Sequence, residues 1–137
     1  MLNYALTHPP LIGALANAGH GSRILLADGN FPYASHSHPA ATTVHLNLRP
    51  GQLTVDDVLV TLLDAVNVEH AVTMIPHGVE APAQDGYRKA LGDSVQFEQV
   101  ERFDFYDLVR APDTAIIVAT GDQRLYANLL LTIGLAA

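Results

Sequence analysis

Gly19-His20-Gly21-Ser22-Arg23-Ile24-Leu25-Leu26-Ala27-Asp28-Gly29-Asn30-Phe31-Pro32 is the stretch that decides the fold. It reads as the end of a helix, a tight turn carrying a histidine, a short apolar strand, and a carboxylate where that strand stops. An apolar run without polar alternation is the pattern of a strand covered on both faces, which places it inside an α/β layered sheet. A strand of this length spans roughly 17 Å, so His20 and Asp28 stand at its opposite ends. They share a site only if a loop folds one back toward the other or a second subunit completes the pocket.

Outward from that strand, helical and strand-like segments alternate. Pro9 and Pro10 suit a first helical turn, and Leu11, Ile12, Leu15 and Ala16 recur at helical spacing until Gly19 can end the helix in a left-handed cap. Residues 29–39 are loop by their Gly, Asn, Ser and Pro content, and 42–48 alternate as a strand does. Thr54-Val55-Asp56-Asp57 is a relative of the capping box, and the helix it opens carries Val58, Leu59, Leu62, Leu63 and Val66 on a broad apolar face. Residues 71–75 form a strand, 83–91 a helix ended by Gly92, 95–100 a half-exposed strand, and 103–109 a short helix stopped before Pro112. Residues 114–120 are the most strand-like run of all, and Gly121-Asp122 turns it toward a last strand over 125–133. The expected architecture is three-layer α/β/α around a mixed, mostly parallel sheet, with an antiparallel or hairpin element at the C-terminal end.

The chain of 137 residues has the length of one domain, and such a chain buries about two-thirds of its unfolded surface. Its residues are 49% hydrophobic and only 15% charged, a composition that points to oligomerisation. A formal net charge of -7 and the lack of any basic run disfavour nucleic acid or an anionic membrane as partner. With no cysteine there is no disulfide, thiolate metal site or cysteine nucleophile. The N-terminal residues lack the basic and apolar regions of a signal peptide, and no apolar run is long enough to span a bilayer, so a cytoplasmic protein is expected.

Seven histidines invite both a metal and an acid/base reading. His36 and His38 form a His-x-His pair, with His45 and His77 as conceivable further ligands, although solvated loop histidines account for the pair equally simply. His20, between two glycines, is either a proton-transfer group presented to a cleft or a cation at a helix C-terminus. Asp28 is either a ligand-contacting group at a strand end or a turn-capping aspartate. Arg102 precedes the aromatic residues Phe103, Phe105 and Tyr106, a set that suits core packing better than a ligand platform. Tyr126 and Asn128, two apart on the expected last strand, share a face and need polar partners, which sugar hydroxyls or neighbouring backbone would supply.

Taken together, Gly19-His20-Gly21, Leu26-Ala27-Asp28-Gly29-Asn30-Phe31-Pro32, Arg102-Phe103-Asp104-Phe105-Tyr106, Ala119-Thr120-Gly121-Asp122 and Tyr126-Ala127-Asn128-Leu129-Leu130-Leu131 resemble the ribose pyranase and fucose mutarotase family, the fucose branch more than the ribose one. The resemblance implies an isomerase that interconverts the cyclic forms of a free monosaccharide without metal or organic cofactor. It also implies a homo-oligomeric ring, commonly a decamer, with sites at subunit contacts. By motif match His20 is the proton donor, and Asp28, Arg102, Tyr126 and Asn128 bind the sugar. Ser22 stands where the family usually has Asp, Thr132 and Ile133 replace a basic pair before Gly134, and 35–99 match only loosely. A sugar-binding protein without chemistry is the alternative.

Overall fold

The structure, a computed structural model, describes residues 1–136. Ten elements follow one another: α1 (Pro9–Asn17), β1 (Arg23–Ala27), β2 (Thr42–His45), α2 (Val55–Leu63), β3 (Val68–Met74), α3 (Pro82–Leu91), β4 (Gln96–Val100), α4 (Arg102–Arg110), β5 (Thr114–Ala119) and β6 (Leu129–Ile133). The six strands form one sheet in the order β2-β5-β1-β6-β3-β4. All neighbours are parallel except β6, which runs antiparallel to both β1 and β3.

The apolar run of β1 is explained by its place. It pairs with β5 on one side and β6 on the other, and its alternate side chains enter different cores. Ile24 and Leu26 face α1, α2 and α3 with Leu11, Leu59 and Tyr87. Leu25 and Ala27 face α4 with Phe105, Val109 and Phe31. The three-layer α/β/α expectation is therefore met, with three helices on one face and one on the other.

Local signals hold at several ends. Thr54 and Asp57 form the full capping box at the start of α2, each side chain accepting from the other's backbone N–H. Gly92 ends α3 with φ +78°. Three expectations are corrected. Gly19 is not a left-handed cap: the Ala18 N–H closes the helix on the Leu15 carbonyl and the chain leaves extended. The left-handed residue comes later, at Gly21 (φ +86°), inside the turn that the Ser22 N–H closes on the Gly19 carbonyl. The first half of the expected strand over 42–48 forms, but β2 ends at His45, where its partner β5 also runs out. No hairpin joins β5 to β6, because β1 lies between them, and residues 125–128 precede β6 as loop. Tyr126, with φ +55°, could not have belonged to a strand.

The path from β5 to β6 is fixed by close packing instead of by a turn. Gly121 meets the 49–53 segment so closely that a Cβ would lie 2.2 Å from the Gln52 carbonyl oxygen. Next to it, buried Asp122 accepts from the Val55 N–H at the start of α2 and from the Arg124 side chain, which also reaches Asp56. Burial pushes the Asp122 carboxyl up, but these donors outweigh it and hold the carboxyl below its usual range.

Candidate active site

Because β6 is antiparallel, its first residues lie at the same end of the sheet as the carboxyl ends of β1, β3 and β4. Ligands in open α/β sheets bind at that end. Asp28 directly follows β1, His77 lies three residues past β3, Arg102 opens α4 just after β4, and Tyr126 and Asn128 lead into β6. All five line one cavity of about 300 Å³. Phe31, Met74, Val79 and Leu125 complete its apolar wall. Four of the five residues expected from the sequence thus converge.

Asp28 is 4% exposed and tightly held. Its Oδ1 accepts from the Asn30 N–H at 2.9 Å and its Oδ2 from Asn128 Nδ2 at 3.1 Å, while the Asp28 N–H donates to Asn128 Oδ1 at 2.7 Å. This reciprocal pair fixes which way the Asn128 amide points. Burial raises the Asp28 carboxyl above its ordinary range, helped by the nearby Asp122 charge and opposed by backbone N–H groups around it. The arrangement places a fixed carboxyl group in the wall of the cavity, a residue type suited to accepting from adjacent hydroxyls.

Arg102 is exposed, and its Nε donates to the Tyr106 hydroxyl at 3.4 Å. Tyr106 packs edge-on against Phe31 with ring centroids 5.1 Å apart and lines the cavity. The aromatic residues after Arg102 therefore divide: Phe105 is core, Phe103 is exposed, and Tyr106 is a wall of the site.

Tyr126 is held in its unusual conformation from α3. Gln84 Nε2 donates to the carbonyls of Met74 (2.8 Å) and Tyr126 (3.1 Å), and the Tyr87 hydroxyl donates to the Ala127 carbonyl (2.7 Å). Gln84 Oε1 in turn accepts from Thr73 Oγ1 and Gln99 Nε2. The sequence reading does not single out Gln84, Tyr87, Asn30 or Tyr106 as site residues, and it treats His77 only as a conceivable metal ligand. His77 follows β3 much as Asp28 follows β1, and that shared position was the available signal.

His20 is elsewhere. It occupies the turn before β1, half exposed, with Nε2 3.0 and 3.1 Å from the two oxygens of Glu69 at the start of β3. A separate cavity of about 340 Å³ adjoins it. Within one chain His20 and Asp28 do not share a site. The His-x-His pair is also dispersed in role: His36 bonds Ser35 and lies 5.2 Å, ring to ring, from Tyr106, and His38 Nδ1 accepts from the Ala40 N–H. Among the described residues no group of three or more His, Cys, Asp or Glu is placed to hold a metal ion.

Fold and cavity together define an α/β protein with a small cleft at the carboxyl ends of its strands, lined by Asp28, His77, Arg102, Tyr126 and Asn128. The chain belongs to the RbsD / FucU transport protein family, which matches residues 1–136. It is 32% identical over 147 residues to the human (Homo sapiens) fucose mutarotase, covering 97% of this chain and 92% of the human one. It is 32% identical over 136 residues to the D-ribose pyranase of Paracidovorax citrulli, covering 98% of each. The crystal structure of the fucose mutarotase from Streptococcus pneumoniae in complex with L-fucose superposes with a TM-score of 0.84 over the full length of both chains, at 26% identity. The family resemblance read from the sequence is borne out.

Proposed function

We infer that the chain is a monosaccharide mutarotase, an isomerase that opens and recloses the ring of a free sugar such as fucose or ribose. The observation that carries the reading is the convergence of Asp28, Arg102, Tyr126 and Asn128 on one small cavity in a chain whose relatives include a fucose mutarotase and a D-ribose pyranase. Opening a hemiacetal ring requires only proton transfers, so the chemistry calls for neither metal nor organic cofactor. Asp28, immobilised by Asn128, accepts from two sugar hydroxyls, and the Arg102 guanidinium donates a fork of hydrogen bonds. Tyr126 offers its hydroxyl or its ring face.

In this reading His20 is the proton donor, delivered to the cavity by a neighbouring copy of the chain in a homo-oligomeric ring. Ser22 replaces the acid usual beside this histidine, and its Oγ accepts from the Gly19 N–H instead. Glu69 supplies a carboxylate to the imidazole from a different strand. A cytoplasmic location goes with the reading.

Saturation-transfer NMR on free L-fucose and D-ribose is the test. The protein is expected to merge the slow exchange between anomers, or between pyranose and furanose, into one fast process. Binding without accelerated exchange would leave a sugar-binding protein; neither binding nor exchange with any sugar would remove the reading.

A further inference from the structure

Mutarotation moves two protons, and His20 accounts for one. As the bond from the anomeric carbon to the ring oxygen breaks, its electron pair stays on that oxygen, which takes a proton from the acid. The anomeric hydroxyl must lose its proton to a base at the same time. We propose that His77 is that base, with Glu101 holding its ring. The proposal rests on the mutarotase reading of this cavity and names a second catalytic group within it.

Among the described residues His77 is the one imidazole lining the cavity. It stands in the loop after β3, beside Gly78, whose φ of +76° turns the chain there. His77 Nε2 lies 2.9 Å from Glu101 Oε2. Glu101 is the N-cap residue of α4, yet its side chain makes no capping hydrogen bond, so the carboxylate is left to His77. An ionised carboxylate only accepts, which puts the ring hydrogen on Nε2 and leaves the Nδ1 lone pair free. That is the tautomer a base needs.

The other titratable and charged groups at the cavity are Asp28 after β1, Arg102 and Tyr106 on α4, and Tyr126 before β6. Arg102 only donates, and a phenol holds its proton too firmly at neutral pH to act as a resting base. Asp28, fixed by Asn30 and Asn128, is engaged as the anchor for the sugar's other hydroxyls. His77 Nδ1 takes the anomeric proton while the ring oxygen receives one from the acid. After rotation about the C1–C2 bond the freed hydroxyl adds to the other carbonyl face, and both protons return. Nothing is oxidised or reduced.

His77→Gln retains a donor toward Glu101 and removes the base. With L-fucose and D-ribose followed by saturation-transfer NMR, kcat is expected to fall about 100-fold while KM stays within about threefold. The limb of the kcat–pH profile on which wild-type activity rises with pH should flatten. Glu101→Gln keeps a hydrogen-bond partner for the ring but frees its orientation, so it should lower kcat less than His77→Gln does, with KM unchanged. An unchanged kcat and pH profile in His77→Gln, with active wild type, overturns the proposal alone. A rise in KM with kcat intact also overturns it, because His77 would then only bind. A wild type that accelerates no sugar overturns the mutarotase reading and the proposal together.

Discussion

At the scale of residues, the protonation of buried Asp28 has a defined sign. Burial raises its folded-state pKa above the ordinary 3.8, so the folded form holds the proton more tightly than the unfolded chain does. Its contribution to stability is therefore fully present below about pH 3.8 and is lost as pH rises through the folded value. Asp28→Asn removes that loss. It also removes one hydrogen bond, since an amide at this position presents a second donor to Asn128 Nδ2. The expected outcome is a variant with little or no sugar exchange whose stability relative to wild type improves between about pH 3 and about pH 7, measured by urea unfolding at each. A stability difference that stays flat over that range would show that burial does not strain the carboxylate. Asp28 was legible in the sequence because a carboxylate ends an apolar strand. Tyr126 and Asn128 were legible by residue type while the reason given, one face of a strand, was not the one the chain uses. Nothing in the local sequence announces a left-handed Tyr126, because the groups that hold it and Ala127 are 42 and 40 residues away, in contacts from Gln84 to Tyr126 and from Tyr87 to Ala127.

Among the elements, α3 governs the site without lining it. Gln84 is 3% exposed and joins β3, β4 and the approach to β6 through one amide. Gln84→Leu keeps the bulk and leaves the Met74 and Tyr126 carbonyls and the Thr73 hydroxyl without this partner. Each buried polar group so stranded costs about 1–3 kcal/mol, and partial relaxation should bring the total to roughly 2–4 kcal/mol in urea unfolding. Sugar affinity should weaken with it, because Met74 and Tyr126 both line the cavity. Wild-type stability and affinity in this variant would show that the carbonyls find other partners. The elements themselves were mostly readable: β1, the capping box of α2 and the glycine end of α3 follow from pattern and caps. The place of β6 was not. A strand's partners depend on what else competes for the sheet, and the turn-like Gly121-Asp122 is committed to the 49–53 segment and to α2.

For the molecule as a whole, β1, a five-residue strand about 17 Å long, keeps His20 and Asp28 beyond its opposite ends. Each end carries exposed apolar side chains of its own. Leu125, 57% exposed, borders the Asp28 cavity, and Leu135, 69% exposed, borders the one beside His20. Apolar surface flanking both cavities is what a contact between copies would cover. If the donor comes from a neighbour, complementation between two inactive variants follows by arithmetic. Co-assembled in equal amounts, His20→Ala copies contribute an intact Asp28 and Asp28→Asn copies an intact His20. A contact is native in both when the first kind supplies the cavity and the second the donor, a chance of one-half times one-half, so about a quarter of wild-type exchange should return in a randomly mixed assembly. Each variant alone should remain inactive. A mixture as inactive as its parts, with mixed assemblies confirmed by native mass spectrometry, would place donor and anchor on the same chain and require the turn around His20 to move.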